Sequence, residues 1–145
     1  MVDIAGRVAL ERLSSSNAAL GQVMYWNGQR WLPGAGPLYL EAIVQAGSAS
    51  VASNVMPPGF RVPADTTLRA FYVNVGTAPT GSGLTVVIKR AGTTLATVTV
   101  AASSTSGSST GLSVALARGD LLTVDVTAVG STVAGSDVLA SLEAY

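Results

Sequence analysis

The sequence contains no cysteine and no histidine among its 145 residues. Without cysteine the chain has no disulfide and no thiol nucleophile, and zinc sites built on Cys or His cannot form. Without histidine a Ser-His-Asp catalytic system cannot be assembled, although serine is plentiful. These two absences exclude several large classes of enzyme before any pattern in the sequence is considered.

Charged residues are also scarce. They make up 11% of the chain, against about a quarter in an average protein, and the eight basic and eight acidic residues cancel. They form no block of like charge, so we expect neither nucleic acid nor a membrane as a partner. No apolar run approaches the ~20 residues of a membrane-spanning helix, and we expect no signal peptide. A surface with so few charged residues favours an assembly in which partners cover much of the protein.

The most distinctive stretch spans residues 21–34 and contains both tryptophans of the chain. At its centre, Asn27-Gly28 is a strong hairpin signal, because a type I′ turn needs positive φ angles at both central residues. Tyr25-Trp26 and Arg30-Trp31 flank this turn, and Pro33-Gly34 closes the second strand. An isolated two-stranded hairpin is marginally stable in water, so we expect this one to lie on another surface.

The first 20 residues have a weak helical pattern. Ile4 and Val8 could share one helical face with Leu13 near it, and Asp3 could cap the start. Glycine and a serine cluster keep any helix here short, and short helices depend on tertiary contacts. Two interpretations stay open: a frayed terminus, or an arm that a partner orders.

A linker at residues 35–37 separates the N-terminal arm and aromatic hairpin, residues 1–36, from a region of different character, residues 37–145. In this second region apolar and polar residues alternate with a period of two, which is typical of half-buried strands. The clearest pattern is a β-hairpin, in which residues 84–89 and 95–100 alternate on either side of a glycine-containing turn.

About seven or eight such strands are predicted between residue 38 and residue 145, without a strong helix signal. The Gly-, Ser- and Pro-rich segments at 77–83 and 102–111 are predicted to be loops. Strands at this spacing indicate an all-β fold, an antiparallel β-sandwich, and eight of them would fill the two sheets of a jelly roll. A barrel or an immunoglobulin-like topology is the alternative.

Few side chains in this region suggest catalysis. A Ser-Lys pair is formally possible at Lys89, but its place within a hairpin predicts a solvated residue that discourages edge pairing. Asp120, Asp125 and Asp137 are interpreted as residues in or near turns, since their spacing matches no calcium loop. Asp120 and Asp137 precede strands, where aspartate carboxylates bond nearby backbone N–H groups, and Asp125 faces away from Leu122, Val124 and Val126 on a predicted strand. The Arg-Gly-Asp tripeptide at 118–120 is explained by the glycine of a turn. No catalytic residue, metal site or cofactor is predicted.

The aromatic residues of the hairpin leave three alternatives open. Tyr25, Trp26 and Trp31 could lie in a protein–protein interface, where aromatic residues concentrate. They could instead cover the base of their own domain, or stack on sugar rings. Large aromatic side chains in a chain with little charge favour contact with protein.

The pattern of residues 21–34, Gly-Gln-apolar-x-x-Trp-Asn-Gly-x-x-Trp-x-Pro, resembles a segment common in virion proteins of tailed bacteriophages, near the start of fibre and head-decoration modules. The second region is similar to small phage β-modules at residues 60–63, in the hairpin 83–100, at residues 119–124 and at residues 135–137. The resemblance implies a trimeric, non-enzymatic protein that is built for assembly.

The function expected first is that of a capsid decoration, or cement, protein on the outer surface of a phage head, where a homotrimer binds the major capsid protein. The alternative is a receptor-binding module at the tip of a head or tail fibre, whose segments 77–83 and 102–111 would contact host-surface glycans. The residues expected at the protein interface are Ile4, Val8, Leu13, Tyr25, Trp26, Arg30 and Trp31.

Overall fold

A computed structural model of the protein describes residues 38–145 and, nearer the N-terminus, the backbone of residues 23–26 and 31–34. The chain divides into two units, Met1–Gly36 and Pro37–Tyr145. The described residues form ten strands and no helix, which confirms the predicted all-β class. Within this part of the chain there is accordingly no helix of the length and apolar character needed to cross a membrane.

In the first unit two short strands pair with each other. They are β1 (Val23–Trp26) and β2 (Trp31–Gly34), which run antiparallel. Trp26 lies opposite Trp31, so the register is centred between positions 28 and 29. A two-residue turn at Asn27-Gly28 would place the centre one position earlier. The predicted pairing is therefore present, but the dipeptide signal misplaced its centre, and the turn residues themselves lie outside the described residues.

The second unit, which we call the sandwich unit, contains eight strands in two antiparallel sheets. The strands are β3 (Leu38–Ser48), β4 (Phe60–Arg61), β5 (Thr66–Asn74), β6 (Leu84–Arg90), β7 (Thr93–Val100), β8 (Ser106–Leu116), β9 (Leu121–Ala128) and β10 (Ser136–Ala144). One sheet has the order β3-β10-β5-β8 and the other β4-β9-β6-β7. The pairs β3–β10, β4–β9, β5–β8 and β6–β7 are therefore nested along the chain, with the last pair as a local hairpin.

The hydrophobic core is supplied by alternate residues of both sheets, since successive side chains of a strand point to opposite faces. Phe71 and Val73 of β5 and Val86 and Ile88 of β6 are completely buried. In β10 the buried positions alternate along the strand from Val138, as the sequence pattern predicts. The two sheets and their shared core agree with the predicted β-sandwich.

An irregularity in β5 decides which side chains face outward at its C-terminal half. The register between β5 and β10 shifts where Leu68 and Ala70 of β5 lie opposite the adjacent residues Ala144 and Glu143 of β10. A bulge of this kind inserts one residue and so reverses the alternation. Leu68 and Phe71 consequently both face the core, while Tyr72 and Asn74 point to the outer face of the sheet.

The prediction of a loop over residues 102–111 is wrong for its second half. Positions 106–110 belong to β8, where they pair with positions 74–70 of β5. β8 lies at the edge of its sheet, so its outward side chains are solvated, and serine and threonine suffice there. The hydrogen bonds between strands come from the backbone, so a strand can form here without apolar side chains. The composition of the segment therefore gave no indication of a strand. Residues 77–83 do form a loop, as predicted.

Gly59, the residue before β4, is expected not to tolerate a side chain. Its φ angle is +111°, and an added Cβ would overlap the carbonyl oxygen of Leu122. Gly59→Ala should therefore lower the free energy of unfolding by about 2–4 kcal/mol, measured by chemical denaturation. The control is Gly92→Ala, because Gly92 also has a positive φ, +81°, but nothing within 4 Å of the added atom. The control should lose only about 1 kcal/mol, and equal losses would contradict the steric explanation.

Candidate interaction surface

The predicted interface residues are only partly within the described structure. Those that lie outside the described residues are Ile4, Val8, Leu13 and Arg30. Tyr25 and Trp26 end β1, and Trp31 begins β2. The register brings the backbone positions of the two tryptophans directly opposite each other. The hairpin therefore remains the predicted attachment element of the first unit.

In the sandwich unit, the outward side of the β3-β10-β5-β8 sheet carries every tyrosine found in residues 38–145, and we call it the tyrosine face. Tyr39 on β3 is 68% exposed, Tyr145 after β10 is 54% exposed, and Tyr72 on β5 is half-buried. Ile43 on β3 adds an apolar side chain that is 65% exposed. Aromatic side chains in such positions combine a large apolar surface with a polar group, which suits recognition surfaces.

Hydrogen bonds hold the polar side chains of the tyrosine face in place. The Tyr72 hydroxyl donates to Glu143 Oε2 at 3.3 Å, and the Ser141 hydroxyl donates to Glu41 Oε2 at 3.3 Å. Desolvation raises the pKa of the Tyr72 phenol above its usual value, and the Glu143 carboxylate raises it further. The phenol consequently stays protonated at neutral pH and can both donate and accept a hydrogen bond.

Next to Tyr72 the tyrosine face contains an open depression of about 370 Å³. Its lining comes from three neighbouring strands and is formed by Tyr72, Asn74, Ser106, Gly107, Ser108 and Ser141. The registers explain this grouping, since Ser141 lies opposite Tyr72, and Tyr72 lies opposite Ser108. The lining side chains are hydroxyls, one amide and one phenol, without a formal charge.

The outward side of the other sheet holds the one buried charged residue of residues 38–145, Asp125, which is 5% exposed. Its carboxylate accepts the Lys89 ammonium at 2.5 Å and the backbone N–H of Asn54 at 2.7 Å. The Asn54 hydrogen bond is the first cause that holds the pKa of Asp125 below its usual value, and Lys89 is the second. Asp125 thus joins the segment between β3 and β4 to the sheet.

This arrangement corrects two predictions. Asp125 lies within β9, opposite Val87 on β6, as the alternation with Leu122, Val124 and Val126 indicates, and not in or near a turn. Lys89 is not a solvated residue that guards an edge, because β6 lies between β9 and β7 and the ammonium is bound to Asp125. With that nitrogen engaged by a carboxylate, Lys89 does not activate a serine hydroxyl within the described structure.

The other two aspartates behave closer to the prediction. Asp120 accepts the backbone N–H of Ala117 and the Arg90 guanidinium, both at 2.9 Å, and these contacts lower its pKa in that order. The carboxylate of the Arg-Gly-Asp tripeptide is therefore already engaged, and Gly119 has the positive φ of a turn glycine, +91°. Asp137 accepts the N–H of Gly47, a residue distant in sequence, and this bond lowers its pKa.

Over residues 38–145, no group of three or more acidic side chains is placed so that it could hold a metal ion. Comparison with protein-family models, with curated proteins and with solved structures finds no match for this chain. An assignment of function therefore depends on the sequence and on the two structural units themselves.

The depression beside Tyr72 is the feature that the sequence-based prediction missed. Its serines belong to the segment predicted as a loop, and the signal that could have revealed them is the period-two spacing of Ser106, Ser108 and Thr110. The outward position of Tyr72 follows from the alternation of Phe71 and Val73, but its grouping with Ser108 and Ser141 depends on the pairing of three distant strands. Neither feature is visible from composition.

Proposed function

We propose that this chain is a non-enzymatic structural protein of a tailed-phage virion, a capsid decoration protein that stabilises the head by bridging neighbouring capsid subunits. The observation that carries the proposal is the division into two units, in which a unit with a paired aromatic hairpin precedes a β-sandwich unit. In such a chain the first unit is available for attachment, and the second is a separate folded domain. The resemblance of residues 21–34 to phage virion segments supports the same assignment.

The strand order of the sandwich unit supports assigning it as a jelly roll. In a jelly roll eight antiparallel strands are divided between two sheets. The nested pairs β3–β10, β4–β9, β5–β8 and β6–β7 are what results when one long antiparallel ribbon is folded over into two sheets. Such a unit is a compact, rigid block with its chain ends on neighbouring positions of one sheet, which suits repeated placement on a shell.

The proposed mechanism is mechanical. Three copies form a homotrimer over a local three-fold position, and the arm with the tryptophan hairpin lies across the major capsid protein of neighbouring subunits. At ~25 cal/mol per Å² of apolar area, burial of a few hundred Å² per chain contributes several kcal/mol. Three linked attachments raise the avidity well beyond that of one. Cofactors and chemical steps have no part in this mechanism.

Capsids assembled without this protein provide the direct test. Adding the purified protein to saturation should raise the melting temperature of the capsid, measured by scanning calorimetry, because a ligand that binds only the assembled state stabilises it by mass action. The chain from residue 37 onward, added alone, serves as the control and should give little rise. A capsid whose melting temperature stays unchanged at saturation, or a lack of binding, would refute the proposal.

A further inference from the structure

The depression on the tyrosine face has the features of a binding site for a small polar ligand. Tyr72 supplies an aromatic ring, Asn74 supplies an amide, and the surrounding serines supply hydroxyls. This combination of one apolar surface with several convergent hydrogen-bonding groups is the usual composition of a ligand site. The opening faces solvent, so a ligand could enter without a conformational change.

The site is held by rigid elements. Tyr72 lies on β5, which has a strand on each side, β10 and β8. Beside the lining, on the same face of the sheet, Glu143 accepts a hydrogen bond from the Tyr72 hydroxyl and Glu41 accepts one from the Ser141 hydroxyl. Each bond is 3.3 Å long, which is longer than the usual range of an O–H···O hydrogen bond, so a ligand hydroxyl could compete for either carboxylate. A preorganised site loses little entropy when it binds.

The charges around the site decide what kind of ligand it could take. The lining residues carry no basic side chain, and the carboxylates of Glu41 and Glu143 lie close by. Among residues 38–145, the basic side chain of this face is Arg69, whose guanidinium carbon lies 5.2 Å from the ring centroid of Tyr145. Anionic ligands such as phosphates or acidic sugars would therefore be repelled, and a neutral ligand rich in hydroxyl groups is favoured.

We propose that this depression binds a neutral carbohydrate, with one sugar ring against Tyr72 and its hydroxyls bonded to Asn74, Ser108 and the adjacent carboxylates. An aromatic ring accepts the C–H face of a sugar, while carboxylate, amide and hydroxyl groups pair with its alternating donors and acceptors. The assignment does not depend on capsid attachment, since the site lies wholly within the sandwich unit.

The test uses the full-length protein labelled with ¹⁵N and titrated with the neutral trisaccharides maltotriose, cellotriose, mannotriose and triacetylchitotriose. Sialyllactose, which carries a carboxylate, is the acidic comparison. At least one neutral trisaccharide should cause saturable NMR shifts centred on β5 and β8, with a dissociation constant of about 1 mM, as expected for a small open site. Ser108→Arg should weaken binding at least about tenfold by filling the depression from an exposed edge position. Tyr72→Ala should do the same by removing the ring, and Tyr72→Phe should weaken binding less.

Thr97→Arg is the matched control, because Thr97 is also exposed on an edge strand, β7, but belongs to the other sheet. It should leave the dissociation constant within about twofold. The melting temperature of each variant shows whether it is folded. If Tyr72→Ala is unfolded, the binding measured for Ser108→Arg decides the test. The proposal fails if no neutral trisaccharide gives saturable shifts, if Thr97→Arg weakens binding as much as Ser108→Arg, or if only sialyllactose binds. Failure here leaves the capsid proposal untouched, because that test measures the melting temperature of capsids.

Discussion

Asp125→Ala is expected to lower the free energy of unfolding of the sandwich unit by about 2–3 kcal/mol. A domain of this size is stable by only about 5–15 kcal/mol, so the loss is a large fraction of the total. The corresponding fall in melting temperature is about 10–15 °C.

The free energy of unfolding falls because two donors lose their acceptor when the carboxylate is removed. The Asn54 N–H and the Lys89 ammonium both donate to it, and its side chain is only 7% exposed. Alanine accepts neither bond, so a backbone donor and a charge lose their partner where water reaches poorly. Asn54 lies between β3 and β4, and the lost bond therefore also loosens this segment from the sheet.

Urea denaturation followed by circular dichroism measures the effect, and Asp120→Ala is the matched control. Asp120 also accepts one backbone N–H and one basic side chain, but its side chain is 24% exposed. Water can replace the lost bonds there, so the fall in the free energy of unfolding should be clearly smaller. A fall of equal size in both variants would show that burial of Asp125 is not the cause.

The pH dependence of stability is a second test of the same explanation. The pKa of Asp125 in the folded state is lower than in the unfolded chain, where it is about 3.9. Its contribution to stability is therefore complete above that value and is lost as the pH falls through the folded-state pKa. Asp125→Asn should be less stable at pH 7 and should lose less stability on acidification than the natural chain. An unchanged slope below pH ~4 would contradict this linkage.

Trp26→Ala or Trp31→Ala is expected to weaken attachment to capsids by about 30-fold or more. This factor corresponds to about 2 kcal/mol, the threshold for an interface hot spot, and tryptophan is the residue type most enriched among hot spots. Because Trp26 and Trp31 are opposite each other on β1 and β2, the two substitutions act on one element. The melting temperature of the sandwich unit should stay the same in both variants.

Attachment is measured by sedimentation of labelled protein with capsids that lack it. Tyr39→Ala is the control, since it removes a 68% exposed aromatic side chain from the sandwich unit. It should change attachment by less than about threefold. If the tryptophan variants lose stability and attachment together, the hairpin belongs to the core of the protein. If Tyr39→Ala has the larger effect on attachment, the tyrosine face is the attachment surface.

Several features of the sandwich unit could be predicted from local pattern alone. The hairpin of β6 and β7 and the alternation of β10 follow from the period of two, because each has one face in the core and one in solvent. The turn at Gly119 follows from its need for a positive φ. These are short-range properties, which neighbouring residues in the sequence are sufficient to specify.

The incorrect predictions concern residues whose structure depends on contacts with a distant part of the chain. Asp125 is grouped with residues in or near turns, yet it lies in the middle of β9, and Lys89 and Asn54 satisfy its carboxylate from other segments. Positions 106–110 were assigned to a loop because they lack apolar residues, yet β5 supplies their hydrogen-bond partners. In each case the deciding partner lies more than 30 residues away in the sequence.

The sequence by itself determined that the described part of this protein is all-β, that the chain is poor in charge and free of thiol and imidazole chemistry, and that a tryptophan hairpin precedes a longer β-region. These properties depend on composition and on periods of a few residues. The tertiary structure alone decided the strand order, the burial of Asp125 and the depression beside Tyr72. The physical reason is that the β3–β10, β4–β9 and β5–β8 pairs close long loops, and such pairings depend on the whole core rather than on any local signal.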